Sequence, residues 1–157
     1  MATAYGRDTL RALTPMTRTC PVDSFATADP AQGKDVPDKL TALFEDAAKV
    51  RVQPLPCELP DVGSKAVHFQ AGARTRPHRH TKGQHIVVVS GTGVVADEEQ
   101  VRVVRAGDVI ASPPGAWHWH GATPTSAMSH VTVEDPGLDL DVEQRDWAEV
   151  YTDDLGS

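Results

Sequence analysis

Apolar residues recur along the chain in short valine-rich runs that turn residues interrupt. Val50 to Leu55, Ala66 to Phe69, His85 to Val89, Gly93 to Ala96, Val101 to Val104, Val109 to Ala111, Trp117 to His120 and Met128 to Val133 each read as a strand. Gly72, Ser90-Gly91, Asp97 to Glu99, Ala106-Gly107, Pro113 to Gly115 and Gly121 to Pro124 separate them. Many short strands at this spacing predict an all-β sandwich or barrel. One stretch breaks the rule. In residues 36 to 47, Leu40, Leu43, Phe44 and Ala47 fall at i, i+3, i+4 and i+7, one face of a short helix, with Asp35 as N-cap and Pro37 in its first turn.

Residues 1 to 35 show no amphipathic period. They read as an extended arm, either a loose tail or a segment that packs on the barrel or on a second subunit. The acidic stretch from Asp135 to Asp146 precedes Trp147, Val150 and Tyr151, which offer apolar contacts that could pin the tail. The expected organisation is an N-terminal arm and short helix over 1–48, then a barrel with its C-terminal tail over 49–157.

The 157 residues suit one domain, and 12 glycines with 12 prolines suit turns rather than long helices. A net charge of -7 argues against nucleic acid as a partner. No apolar run approaches the ~20 residues that cross a bilayer, and the N-terminus has no apolar signal core, so a cytoplasmic protein is expected. Cys20 and Cys57 make no disulfide framework.

Histidines change the picture. His78 and His80 are i and i+2, so on a strand both imidazoles point to one face. Gln84 follows where a turn returns its amide toward the same point, and His118 lies past Pro113-Pro114-Gly115 on another strand. Three imidazoles and one amide oxygen suit a first-row divalent metal with positions left open. His120, two residues on, should face the same cavity as a general acid or base, or as a packing histidine. His130, Thr132 and Glu134 alternate with Val131 and Val133, so one face of that strand is polar. It faces either solvent or the cavity, and the cavity is the favoured side; Met128 then shares it, and Glu134 becomes a second candidate proton acceptor. His68 reads as a supporting or surface residue. Arg74, Arg76, Arg79 and Lys82 form a basic patch, ordinarily solvated but able to steer an anion. Trp117 and Trp119 flank His118 and point away from it, toward packing between sheets or subunits.

The frame around these residues resembles the cupin superfamily. Gly72, five residues, His78-Arg79-His80, three residues, Gln84, six residues and Gly91 matches the first cupin motif. Gly107, five residues, Pro113-Pro114-Gly115, two residues and His118 matches the second. Two departures stand out: Gln84 replaces the usual glutamate, and Ala122 stands where an asparagine is usual. A neutral amide leaves the ion more strongly polarising and less tightly held. Gly72-Ala73-Arg74-Thr75, Gly83-Gln84, Pro114-Gly115, His118-Trp119-His120-Gly121-Ala122, Pro124-Thr125 and Ala127-Met128 resemble the bacterial cupin hydroxynitrile lyases. That resemblance implies a single cupin barrel (a double-stranded β-helix, or jelly roll) with His78, His80, Gln84 and His118 holding one divalent ion. Manganese or iron is implied first, with nickel, copper, zinc or cobalt admissible. It implies a lyase acting on a small organic molecule. The alternatives are an O2-dependent dioxygenase with iron or copper, and a cupin that binds a ligand without turnover. Open sheet edges imply a homodimer or higher oligomer.

Overall fold

A computed structural model describes residue 23, residues 30–137 and residues 140–142. The remaining arm, Cys20, Trp147, Val150 and Tyr151 lie outside the described residues. Among the described residues ten strands form: β1 (Lys34–Asp35), β2 (Val50–Pro54), β3 (Gly63–Phe69), β4 (His78–His80), β5 (Gln84–Asp97), β6 (Val101–Arg105), β7 (Val109–Ser112), β8 (His118–Ala122), β9 (Met128–Glu134) and β10 (Leu140–Val142). They hydrogen-bond in the order β1-β2-β3-β9-β5-β8-β4-β10, with β6 and β7 also on β5. The sheet curls round one interior, as an all-β cupin barrel requires.

The long strand β5 makes this closure. The sequence pattern predicts two strands here, split at Ser90-Gly91. The chain instead runs through: Gln84 to Val87 pair with β7 and β9, Thr92 to Ala96 with β6, and Gly93 to Asp97 with β8. The ladder with β9 shifts between Val88 and Ser90, and Gly91 has φ +74. A bulge and a left-handed glycine bend one strand from one sheet into the other, where a hairpin would have ended it. A Cβ on Gly91 would stand 1.9 Å from the Ala127 carbonyl oxygen, so no other residue fits.

The predicted helix is also modified. Residues Asp38–Leu43 and Ala47–Lys49 form 3-10 turns, separated by Phe44, which bridges to Thr75. Asp35 caps nothing; it pairs with Arg51 across β1 and β2. Three residues per turn bring Leu40 and Leu43 onto one face, and Leu40 and Phe44 join Val50, Val52, Val67 and Phe69 in the core. The acidic tail contributes β10, whose Leu140 and Val142 lie opposite His80 and His78.

Candidate metal centre

Strand pairing brings the histidines together. β4 and β8 place His78 directly opposite His118. Parity then turns His80 and His120 to the same interior. On β9 the polar face is the inner one, since Met128, His130 and Thr132 are buried and Val133 is exposed. The ligand atoms of His78, His118 and His120 lie within 4.8 Å of one another. The His80 ring centroid is 5.2 Å from that of His78 and 5.8 Å from that of His118. The His130 ring meets the His120 ring edge-on at 4.9 Å.

Hydrogen bonds set the tautomers. Nδ1 of His78 donates to the Arg76 carbonyl at 2.8 Å, and Nδ1 of His118 donates to the Ala116 carbonyl at 3.1 Å. Each neutral ring therefore presents Nε2 as a bare lone pair. Gln84 is held as firmly. Its Nε2 donates to Thr132 Oγ1 at 2.8 Å and to Glu134 Oε2 at 2.7 Å. A carboxylate only accepts, so the amino group must lie on that side and Oε1 must face the histidines. Gln84 Oε1 lies 3.1 Å from His118 Nε2, and a neutral ring can donate to only one of this oxygen and the Ala116 carbonyl, so one acceptor always faces another. The Nε2 of His78 and of His80, and both ring nitrogens of His120 and His130, are buried without a partner among the described residues. Buried polar atoms without partners, gathered in one cavity, are costly. A cation shared among them removes the conflict, so this donor set fits a divalent ion.

Electrostatics agree. Burial, with the neighbouring rings, holds His78 and His120 well below the usual imidazole range; burial also lowers His118. It lowers His80 to about 4 and His130 to about 3. All five rings are neutral near pH 7, the form that ligates metal.

Glu134 lies in the cavity wall, but its oxygens are engaged. It pairs with Lys65, and its Oε2 accepts from Gln84 and, at 3.3 Å, from Thr132. Lys65 is a wall residue the sequence reading passed over. On β3 it shares an inward face with Val67 and Phe69. Thr75 is another: its Oγ1 accepts from the His120 backbone N–H at 3.1 Å. His68 stands apart from the cluster, bonded to Ser129 and Gln53. The basic patch is largely neutralised, with Arg74 on Glu45, Arg79 on Asp141 and Lys82 on Asp135. Trp119 is buried against Val94 and Ala96, and Arg79 covers the Trp117 ring.

A narrow cavity lies beside the cluster. Leu40, Leu43, Phe44 and Leu140 cover it. An outer groove of about 480 Å³ shares Leu40, Val52, Lys65 and Glu134 with this cavity.

The Cupin domain family matches residues 66–134. The chain is 38% identical over 128 residues to an (R)-mandelonitrile lyase of Granulicella tundricola, covering 79% of this chain and 90% of that protein. A cupin-like protein from Thermotoga maritima superposes with a TM-score of 0.66 at 27% identity, over 76% of this chain and 91% of its own. A cupin 2 conserved barrel protein from Rhodopseudomonas palustris gives 0.58 at 22%, over 73% and 79%, a likeness of fold alone.

Proposed function

This chain belongs to the cupin family, and from that premise we propose that it is a metal-dependent lyase. His78, His80, Gln84 and His118 are the proposed ligands of one divalent ion, manganese or iron, and His120 is the proposed proton carrier. The substrate class is a small cyanohydrin, which splits into an aldehyde and hydrogen cyanide; the relative named as a mandelonitrile lyase supports that choice. The observation that carries the metal reading is the confrontation of Gln84 Oε1 with His118 Nε2 among buried, unpartnered imidazole nitrogens.

The ion, when bound, supplies Lewis-acid chemistry that makes a substrate hydroxyl more acidic. The chain's own residues do the rest. His120 is neutral and has one unpartnered basic nitrogen, so it takes the hydroxyl proton as the carbon–carbon bond breaks. The electron pair of that bond leaves with cyanide, and His120 returns the proton to it. Burial makes His120 a weak base, suited to a proton that is already acidic. Phe69, 5.9 Å from the His120 ring, and Val67 keep that wall apolar and exclude water.

The 4.8 Å grouping of His78, His118 and His120 favours a second reading, in which His120 replaces His80 as a ligand. The proton carrier is then His130, whose nitrogens are free while both oxygens of Glu134 are occupied. One experiment separates the readings. His80→Ala and His120→Ala are assayed for metal content after dialysis and for mandelonitrile cleavage under nitrogen. The first reading expects His80→Ala to lose most of its metal. It expects His120→Ala to keep its metal and to lose about 10²–10⁴-fold in rate. Metal loss in His120→Ala instead makes it a ligand. Turnover only in the presence of O2 would replace the lyase with a dioxygenase, and ligand binding without product would leave a binding protein.

A further inference from the structure

Lys65 and Glu134 form an ion pair in the cavity wall, on the neighbouring strands β3 and β9. Both side chains are withdrawn from water, at 19% and 4% exposure. Burial, together with Lys39, lowers Lys65 to about 8, which shows how far its cation is desolvated. A charge in such a wall persists only with a partner, and Glu134 is that partner. Only Glu134 Oε1 is spent on Lys65. Its Oε2 receives the Gln84 amino group at 2.7 Å and the Thr132 hydroxyl at 3.3 Å. A Gln84 amide released from this grip could turn its amino group toward the histidines and would then offer no lone pair to an ion. Charge points the same way. Three imidazoles and an amide leave a dipositive ion without any anionic ligand. Glu134 is a carboxylate one hydrogen bond behind Gln84.

We propose that Glu134 is a positioning residue for the metal: it fixes the Gln84 oxygen on the histidine cluster and supplies, through that amide, the negative charge the ligands lack. Lys65 seats Glu134 and opposes its charge, so the pair sets how tightly the ion is held. This rests on the metal reading above. Between charges a few ångström apart in a protein wall, with an effective dielectric of about 20, such coupling is substantial.

The two ends of the ion pair must then act in opposite directions. Metal-free protein is titrated with manganese(II), and the free ion is read by electron paramagnetic resonance. Glu134→Gln keeps the shape and an acceptor oxygen but removes the charge, and should weaken binding by about 10–100-fold, the usual cost of losing a partner behind a ligand. Lys65→Met removes the opposing cation and should tighten binding several-fold. Each single variant leaves one charge buried alone, so the double variant Lys65→Met/Glu134→Gln, which leaves none, is measured beside them. Its affinity should fall between the two, above Glu134→Gln even if Lys65→Met does not fold. A purely structural ion pair would shift both single variants the same way, or neither, and either result overturns the proposal. So does a double variant no tighter than Glu134→Gln. Wild-type protein that binds no manganese(II) is a different outcome, and it refutes the metal reading itself.

Discussion

His130 shows most plainly what single residues do here. It is fully buried on β9, and neither ring nitrogen has a partner among the described residues. An unsatisfied buried polar group destabilises by about 1–3 kcal/mol, so stability alone would favour an apolar residue of similar size. His130→Leu should therefore raise the unfolding free energy of the metal-free protein by about 1–2 kcal/mol, measured by urea titration. A loss of that size would mean that the ring makes stabilising contacts that leucine cannot replace. Residue-scale roles were unevenly legible in the sequence. His78, His80 and His118 were marked by parity and spacing. Gln84 was marked by position, but which of its amide atoms faces inward depends on Thr132 and Glu134, 48 and 50 residues away. Lys65 precedes the apolar run Ala66 to Phe69 and joins its strand only because β3 starts at Gly63, which puts it on the face of Val67 and Phe69.

The 3-10 turn Asp38–Leu43, with Phe44 beyond it, lines one side of the cavity. Leu40 borders both that cavity and the outer groove. Leu40, Leu43, Phe44 and Leu140 line the cavity beside the cluster, so the bulk of these side chains should set which substrates fit there. Leu40→Ala should cost about 2–4 kcal/mol of stability through the cavity it leaves. It should also lower KM for bulky aromatic cyanohydrins more than for small aliphatic ones. An unchanged KM ratio in steady-state assays would place the substrate elsewhere. At the opposite wall, Gly121 lets β8 approach the loop before β4: a Cβ there would lie 2.4 Å from the Ala73 carbonyl oxygen. That contact lets Thr75 bond the His120 backbone in both directions, at 2.8 Å and 3.1 Å, and so fixes the ring's base.

For the whole molecule, the buried imidazoles couple folding to pH. His130 titrates near 3 and His80 near 4 in the folded chain, against 6.5 for a free imidazole. Between those values the unfolded chain binds protons that the folded chain refuses, so acid favours unfolding. Their contribution is complete above about pH 6.5 and is lost as pH falls toward 4 and then 3. Each such group adds up to ~1.4 kcal/mol per pH unit to the slope. Urea midpoints of chelator-treated protein at pH 7.5, 6 and 5 should fall steadily, and less steeply in His130→Leu. A flat profile would show that these rings are already protonated or accessible. The arm gives a second test at this scale. Removing residues 1–29 should leave a cooperative thermal transition, because β1 and the core residues Val36, Leu40 and Phe44 remain. Removing residues 1–44 should lower the melting temperature sharply, since it strips the cover from the barrel.

Most of the strands, the order of the two histidine-bearing motifs and the shared face of His78 and His80 were legible from the chain alone. Those properties follow from local rules: a two-residue period, turn-forming glycines and prolines, and fixed spacings. That β5 continues unbroken through Gly91 into both sheets emerges only from the packed fold. So do the closing of the cavity by a 3-10 turn and β10, and the inward setting of the polar face of β9. These depend on which strands lie beside one another and how closely they approach, and residues far apart in the chain settle that together. The same holds for the Lys65–Glu134–Gln84 chain, whose members come from β3, β9 and β5 and meet only where the barrel closes.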